Sequence, residues 1–207
     1  MCYTLAMQLR EVASVTQGMA TAGKGAGARP GNWSLSVVES GDIEADAVKL
    51  NGLRTIEVEH NTWTEKHLLR PYDVLVTARS QAAKVALVPP EATRTVAAST
   101  LLVVRPLMPE TGVAHYLWYY LTSRGGRAAV EARVAVGATI PSLSAGALGQ
   151  VEIPLPALRE LHLLASLIEA SESAYAAATE AARLQREALR DAVVATIRST
   201  TDAGEES

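Results

Sequence analysis

Four histidines, one cysteine and a glycine-rich run around a lysine are the residues of this sequence whose types lend themselves to catalysis or ligand binding. His60, His67, His115 and His162 are scattered. None shows the short spacings by which a turn or helix gathers metal ligands. Glu57, Glu59 and Glu65 lie near two of them and read as a solvated rim rather than an acid–base site. Gly23-Lys24-Gly25-Ala26-Gly27 has the small residues of a phosphate cradle. It lacks the P-loop spacing and its Lys-Ser/Thr end, and no clear strand precedes it, so a flexible basic loop is expected. Cys2 is the only cysteine, which excludes an intramolecular disulfide and a cysteine-based metal cluster and fits a reducing interior. Serine and histidine occur without a nucleophile-elbow motif. There is no glycine-rich cofactor loop after a strand, no Asn/Asp-Pro-Pro-Tyr run, and no nuclease or helicase motif. Neither catalytic activity nor a cofactor is expected.

The elements that would position a binding surface are easier to read. A hydrophobic fraction of 48% over 207 residues is enough to build a core. No apolar run reaches the length of a membrane span, and Gln8, Arg10 and Glu11 interrupt the start early, so a soluble, cytoplasmic protein is expected. The formal net charge of −3 argues against strong nonspecific nucleic-acid binding by the isolated chain. Leu9, Val12, Ala13 and Val15 make a short turn or strand closed by Gly18, followed by a Gly- and Ala-rich loop to Gly31. Short alternating runs predict strands over Trp33–Val38, Leu53–Val58, Val74–Thr77 continuing through Lys84–Val88, and Leu102–Arg105. His115–Ser123 and Arg127–Val134 read as helices, and Leu148–Ile153 as a last strand. Strands, then short helices, then a rod predict an α+β fold: one globular domain with a mixed β-sheet, followed by one long C-terminal coiled-coil helix.

That rod is the most distinctive stretch. From Leu158 to Arg198 there is no Pro or Gly, and Ala, Leu, Glu and Arg dominate, which makes a strong helix former about 60 Å long. A heptad seam runs Leu161, Leu164, Ile168, Ser171, Tyr175, Ala178, Ala182, Gln185, Leu189, Ala192 and Thr196. Eight of these eleven are apolar, as a coiled-coil seam requires. A second seam, from Leu163 and Leu167 through Ala170, Ala174, Ala177 and Ala181 to Leu184 and Ala188, is apolar throughout. Two seams make a face too wide for one packing neighbour, which identifies an association helix, with Leu164, Ile168, Tyr175, Ala178, Leu184 and Leu189 as its interface residues.

Several pieces, in order, resemble the DNA specificity subunit of type I restriction–modification systems. The run Leu9-Arg10-Glu11-Val12-Ala13-Ser14-Val15-Thr16-Gln17-Gly18 resembles the opening of that family's target recognition domain. Ser40-Gly41-Asp42-Ile43-Glu44 resembles the segment after its first long strand, and Leu69 to Arg79 its Gly-Asp-Val-Leu strand. Tyr116 to Ser123 is similar to its Tyr-Leu…Leu-Ser helix, and Gly137 to Leu143 with Leu148 to Pro156 to the Ile-Pro-Leu-Pro strand that feeds its long helix. Tyr72 stands where the family has Gly, which implies another turn geometry there. A full subunit has two recognition domains and two long helices; this sequence resembles a half.

The resemblance implies a target recognition domain over residues 1–156, a spacer helix over 157–200, and a disordered acidic tail over 201–207. It implies a non-catalytic DNA-binding subunit that reads one half-site. As a homodimer with antiparallel helices it would read a two-part pseudo-palindrome, with the rod as ruler. The polar loop after the family strand, Arg79, Ser80, Gln81 and Lys84, has the side-chain types that read base edges. Lys24, Arg29, Asn32 and Trp33 are a second set, and Thr139 with Ser142 a third. Double-stranded DNA, a methyltransferase (modification) subunit and a restriction subunit are the implied partners, with no membrane. Weak, salt-sensitive DNA binding by the isolated chain is expected. Two other readings stand beside this one: the recognition component of a different phage-defence complex, and a coiled-coil adaptor that holds protein rather than DNA.

Overall fold

The computed structural model describes residues 5–21, 29–79, 83–108, 112–135 and 141–205, with Leu5 and the residues beyond Ile197 described by backbone alone. The chain divides into two compact units, Met1–Ala165 and Ser166–Ser207. The first contains three sheets. Strand β1 (Leu5–Gln8) is followed by a one-turn helix α1 (Leu9–Val12), β2 (Ala13–Gln17), β3 (Trp33–Val38), β4 (Ile43–Glu44), β5 (Ala47–Val48) and β6 (Arg54–Val58). Helix α2 (Thr62–Lys66) then leads to β7 (Val74–Thr77), β8 (Val85–Leu87), β9 (Thr95–Ala97) and β10 (Leu101–Pro106). Helices α3 (Val113–Thr122), α4 (Arg124–Glu131) and α5 (Ala145–Gly149) precede β11 (Glu152–Leu155) and the long helix α6 (Leu158–Glu205).

The principal sheet has the order β2-β10-β7-β8-β5-β4, beside a sheet β6-β3-β9 and the pair β1-β11. Pairings are antiparallel except β5 with β8 and β3 with β9. With no Phe available, Val and Leu fill the cores: Leu75, Val88, Leu101 and Val103 in one cluster, Met19, Leu35, Val37 and Val96 in the other. Gly18 lies so close to the Ala98 carbonyl that a Cβ there would meet it at 2.2 Å, and this close approach joins β2 to the turn before β10. Among the described residues no helix is long and apolar enough to cross a membrane.

Four sequence expectations need correction. Leu148 lies in α5, capped by the Ser144 hydroxyl, and the last strand begins only at Glu152. Helix α6 continues to Glu205 rather than giving way to an unstructured tail at 201, since nothing before Gly204 breaks a helix. The first unit extends into α6 as far as Ala165, so the boundary falls inside the helix and not at 156. Tyr72 does not re-route its turn: it adopts φ +69°, the left-handed conformation a glycine would take. Its amide donates to the Val88 carbonyl at 2.9 Å and its ring lies 5.1 Å from that of His115. Neighbouring Asp73, 1% exposed, accepts from the Arg70 amide at 2.8 Å. The same carboxylate binds Arg105 through both oxygens, at 2.8 and 2.6 Å.

Helix α3 anchors the strand that leads into α6. The Tyr116 hydroxyl donates to the Pro154 carbonyl, and the Tyr120 hydroxyl reaches the Glu152 carbonyl at 3.4 Å. Burial first, then the neighbouring Tyr120, pushes the Tyr116 phenol above the ordinary tyrosine range. A raised value favours the neutral phenol in the folded chain. The resulting stability is complete below about pH 10 and is lost as the pH rises through the raised value. Urea midpoints measured from pH 8 to 11 should therefore fall at the alkaline end, and Tyr116→Phe should flatten that fall. Equal alkaline slopes for the two proteins would disprove the assignment.

Candidate nucleic-acid interface

The candidate surface lies at the end of the principal sheet where β7 finishes and β8 and β10 begin. Leu101 pairs with Thr77 and Val76 with Val85, so these strand ends are neighbours. Beyond Thr77, the Ala78 amide donates to the Thr100 carbonyl and its carbonyl accepts from the Leu143 amide, both at 2.8 Å. Arg79 then bridges Ser142, which also bridges Ala135. The first and third sequence sets thus meet. Ser80, Gln81 and Thr139 lie outside the described residues, as does Lys24. Arg79 is exposed, and no carboxylate among the described residues pairs with it. A guanidinium so placed is free to form the bidentate contact by which arginine reads guanine.

Lys84 is otherwise engaged. Its ammonium donates to the carbonyls of Ser40 and Ile43, at 3.1 and 3.0 Å, and its amide to the Thr77 hydroxyl at 3.0 Å. Two of its three donors therefore hold the start of β4 to β8. The β4–β5 turn beyond it is tight, with Ala45 and Asp46 both at positive φ, 48° and 61°. It is held by Trp118, whose indole N–H donates to the Asp46 carbonyl at 2.9 Å, and by Arg127 on both Asp46 carboxylate oxygens at 3.1 and 3.2 Å. Neither alanine nor the Ala-Asp pair announces such a turn in sequence.

Arg29, Asn32 and Trp33 are not gathered with Arg79. Trp33 starts β3, whereas Val38 at its other end accepts from the Ala98 amide beside the Arg79 loop. Six extended residues separate the two ends by about 17 Å. The Trp33 ring lies 4.2 Å from that of His60, which pairs with Glu65 at 2.8 Å. Exposed Glu57 and Glu59 complete a negative rim, with the Glu59 amide donating to the Arg29 carbonyl at 2.8 Å. Residues that sequence reasoning missed lie instead at the Arg79 end: Gln17, whose amide nitrogen donates to the Ser99 carbonyl at 2.8 Å, and Arg54, which binds Glu39 and Thr21. Gln17 closes a strand just before a glycine, the only trace it leaves in the sequence.

In α6 the apolar face is bare beyond its first turns. Leu163, Leu167, Tyr175, Leu184 and Leu189 are exposed, and so is Ala178. Leu164 is half-buried, and Ile168 is 5% exposed. Arg183 binds Glu180 at 2.7 Å and Glu187 at 2.5 Å, and the Glu180 carboxyl is lowered by its hydrogen bond to Arg183.

No protein-family model and no curated protein match this sequence. The fold, however, is that of the S subunits of type I restriction–modification systems. The S subunit from M. genitalium is 14% identical, with a TM-score of 0.53 over 83% of this chain and 40% of that one. A chain from a structure of type I R-M complex assembly and conformational transition gives 20% identity and a TM-score of 0.57, over 90% of this chain and 46% of that one. The HsdS subunit from Thermoanaerobacter tengcongensis gives 18% and 0.56, over 91% and 46%. The chain spans less than half the length of each.

Proposed function

We propose that this protein is the sequence-reading component of a type I-like restriction–modification complex. It is non-catalytic, reads one half-site through the Arg79–Ser142 end of its sheet, and pairs through α6 with a second copy to read both halves. A methyltransferase subunit, with or without a restriction subunit, would supply the chemistry. One observation carries the reading: nearly the whole chain follows the S-subunit fold, at less than half the length of those subunits. Exposed Arg79 supports DNA as the ligand.

The test is selection of duplexes from a random pool by the purified chain, at low salt. Enrichment of two inverted half-sites at fixed spacing is expected. Arg79→Ala should cost about 1–3 kcal/mol of discrimination at one base pair of each half-site, or roughly 5- to 150-fold, while leaving binding to scrambled duplex nearly intact. A pool without sequence enrichment, both alone and with its methyltransferase subunit added, would refute the reading.

A further inference from the structure

The exposed Gln17 side chain is held at one point and free at the others. Its backbone is fixed first. Gln17 pairs with Leu102 at the end of β2, the Gly18 amide donates to the Leu101 carbonyl at 2.9 Å, and the Met19 amide to the Ala97 carbonyl at 2.7 Å. The side-chain amide nitrogen then donates to the Ser99 carbonyl at 2.8 Å. A carbonyl only accepts, so this bond also fixes which way round the amide sits, with nitrogen toward Ser99 and Oε1 away from it. A carboxamide has a second N–H as well as its acceptor oxygen. Neither has a partner among the described residues. Other polar side chains at this end are engaged: Lys84 by the carbonyls of Ser40 and Ile43, Arg54 by Glu39 and Thr21.

We infer that Gln17 is a second base-reading residue, and that it takes adenine in the major groove. The inference rests on the proposed DNA-reading role for its ligand, and on the amide itself for the choice of base. Adenine alone shows an N7 acceptor beside an N6 amino donor there, the complement of an N–H beside Oε1. Guanine shows two acceptors, so its O6 would face Oε1, oxygen against oxygen. Cytosine offers a donor and thymine an acceptor, each good for one bond. Holding the side chain on Ser99 beforehand removes part of the ordering cost of binding. The position fits the reader. The turn 98–101, closed by the Leu101 amide on the Ala98 carbonyl at 2.9 Å, carries both contacts. Ser99 takes Gln17, and Thr100 beside it takes the Ala78 amide, one residue before Arg79, both at 2.8 Å. Adjacent Cα atoms are about 3.8 Å apart, which places the Gln17 amide about 10 Å from Ala78. At about 3.4 Å per base pair, the adenine read by Gln17 lies within a few pairs of the guanine read by Arg79.

Gln17→Leu tests it, with the fold checked by circular dichroism and duplex selection run as for the parent protein. The variant should lose about 5- to 150-fold of discrimination at one A·T pair of each half-site, a different pair from the one Arg79→Ala affects. Its affinity for scrambled duplex should stay. An unchanged selected sequence would overturn the proposal. So would an equal loss on target and scrambled duplex, which makes the amide a strut between β2 and the turn. A second arm replaces each adenine of the selected half-site in turn by an analogue with carbon in place of N7. One replacement should weaken the parent severalfold and leave Gln17→Leu unaffected. If every replacement is neutral to the parent, or equally costly to both proteins, Gln17 reads no adenine. A parent that selects no sequence, alone or with its methyltransferase subunit, removes the DNA-reading role and this contact together. A parent that selects a motif untouched by Gln17→Leu removes only this contact.

Discussion

The double substitution Leu167→Asp with Leu184→Asp is expected to convert a two-copy species into a single-copy one, measured as mass by light scattering. Both leucines are more than half exposed in the single chain, so the carboxylates do not disturb its own core. Burying each leucine against a partner is worth about 1.5–3 kcal/mol. A two-fold axis makes every substitution count twice, and the loss of about 6–12 kcal/mol is comparable with the whole binding free energy of a micromolar dimer, roughly 8 kcal/mol. The direction of pairing follows from charge. Glu169, Glu172 and Glu180 occupy the first half of the free helix, while Arg183, Arg186, Arg190 and Arg198 lie in the stretch after it, with Glu187 and Asp191 among them and Asp202 and Glu205 beyond. Two parallel copies would set Glu169 and Glu172 against themselves; antiparallel copies set them along the arginines of 183–198. Arg186→Glu with Arg190→Glu should weaken the dimer, and adding Glu169→Arg with Glu172→Arg should restore it. A protein that stays monomeric at all concentrations before any substitution would end the homodimer proposal, and α6 would then await a different chain.

Asp73→Ala should lower the thermal midpoint by about 10 °C. Asp73 is buried, satisfies the Arg70 amide and fixes Arg105 at two points. Removing one partner of such a pair leaves a desolvated guanidinium and costs about 3–5 kcal/mol. The Arg105 side chain is 25% exposed and keeps its bond to the Leu68 carbonyl, which places the loss near the lower figure. For a unit of this size each kcal/mol is worth about 2–4 °C. The turn also holds Tyr72 at positive φ, so its strain is released into the same melting transition. A shift under about 2 °C would show that Arg105 relaxes into solvent at little cost.

The fold was legible where one periodicity dominated. Trp33–Val38 ends where its alternation ends, Val74–Thr77 where a short apolar run ends, and the rod needs only its composition. The errors have physical causes. Gln150 to Ile153 alternates polar and apolar residues like a strand, yet Ser144 caps a helical turn that takes in Leu148, and a short run carries both signals. The Ala45-Asp46 turn and Tyr72 need left-handed backbone from residues that do not advertise it, and tertiary partners hold them there. The candidate interface was half legible as a place in the fold. Arg79 and Ser142, separated by 63 positions, carry readable types; their meeting is a product of sheet topology. Lys84 has the right charge but spends it on carbonyls.

The pairing of β1 with β11 joins Leu5 to Leu155 and Gln8 to Glu152, partners about 145–150 residues apart. A growing chain leaves the ribosome with β1 edge-on to water and no mate until the last strand of the first unit has emerged. The loop that closes then is as long as the unit itself, and closure entropy opposes it until the enclosed sheets are formed. Helix α6 begins three residues after Leu155, so it starts from a strand pair that exists only once the first unit is complete. Order of synthesis becomes a checkpoint: until β11 finds β1, the helix has no paired strand to start from.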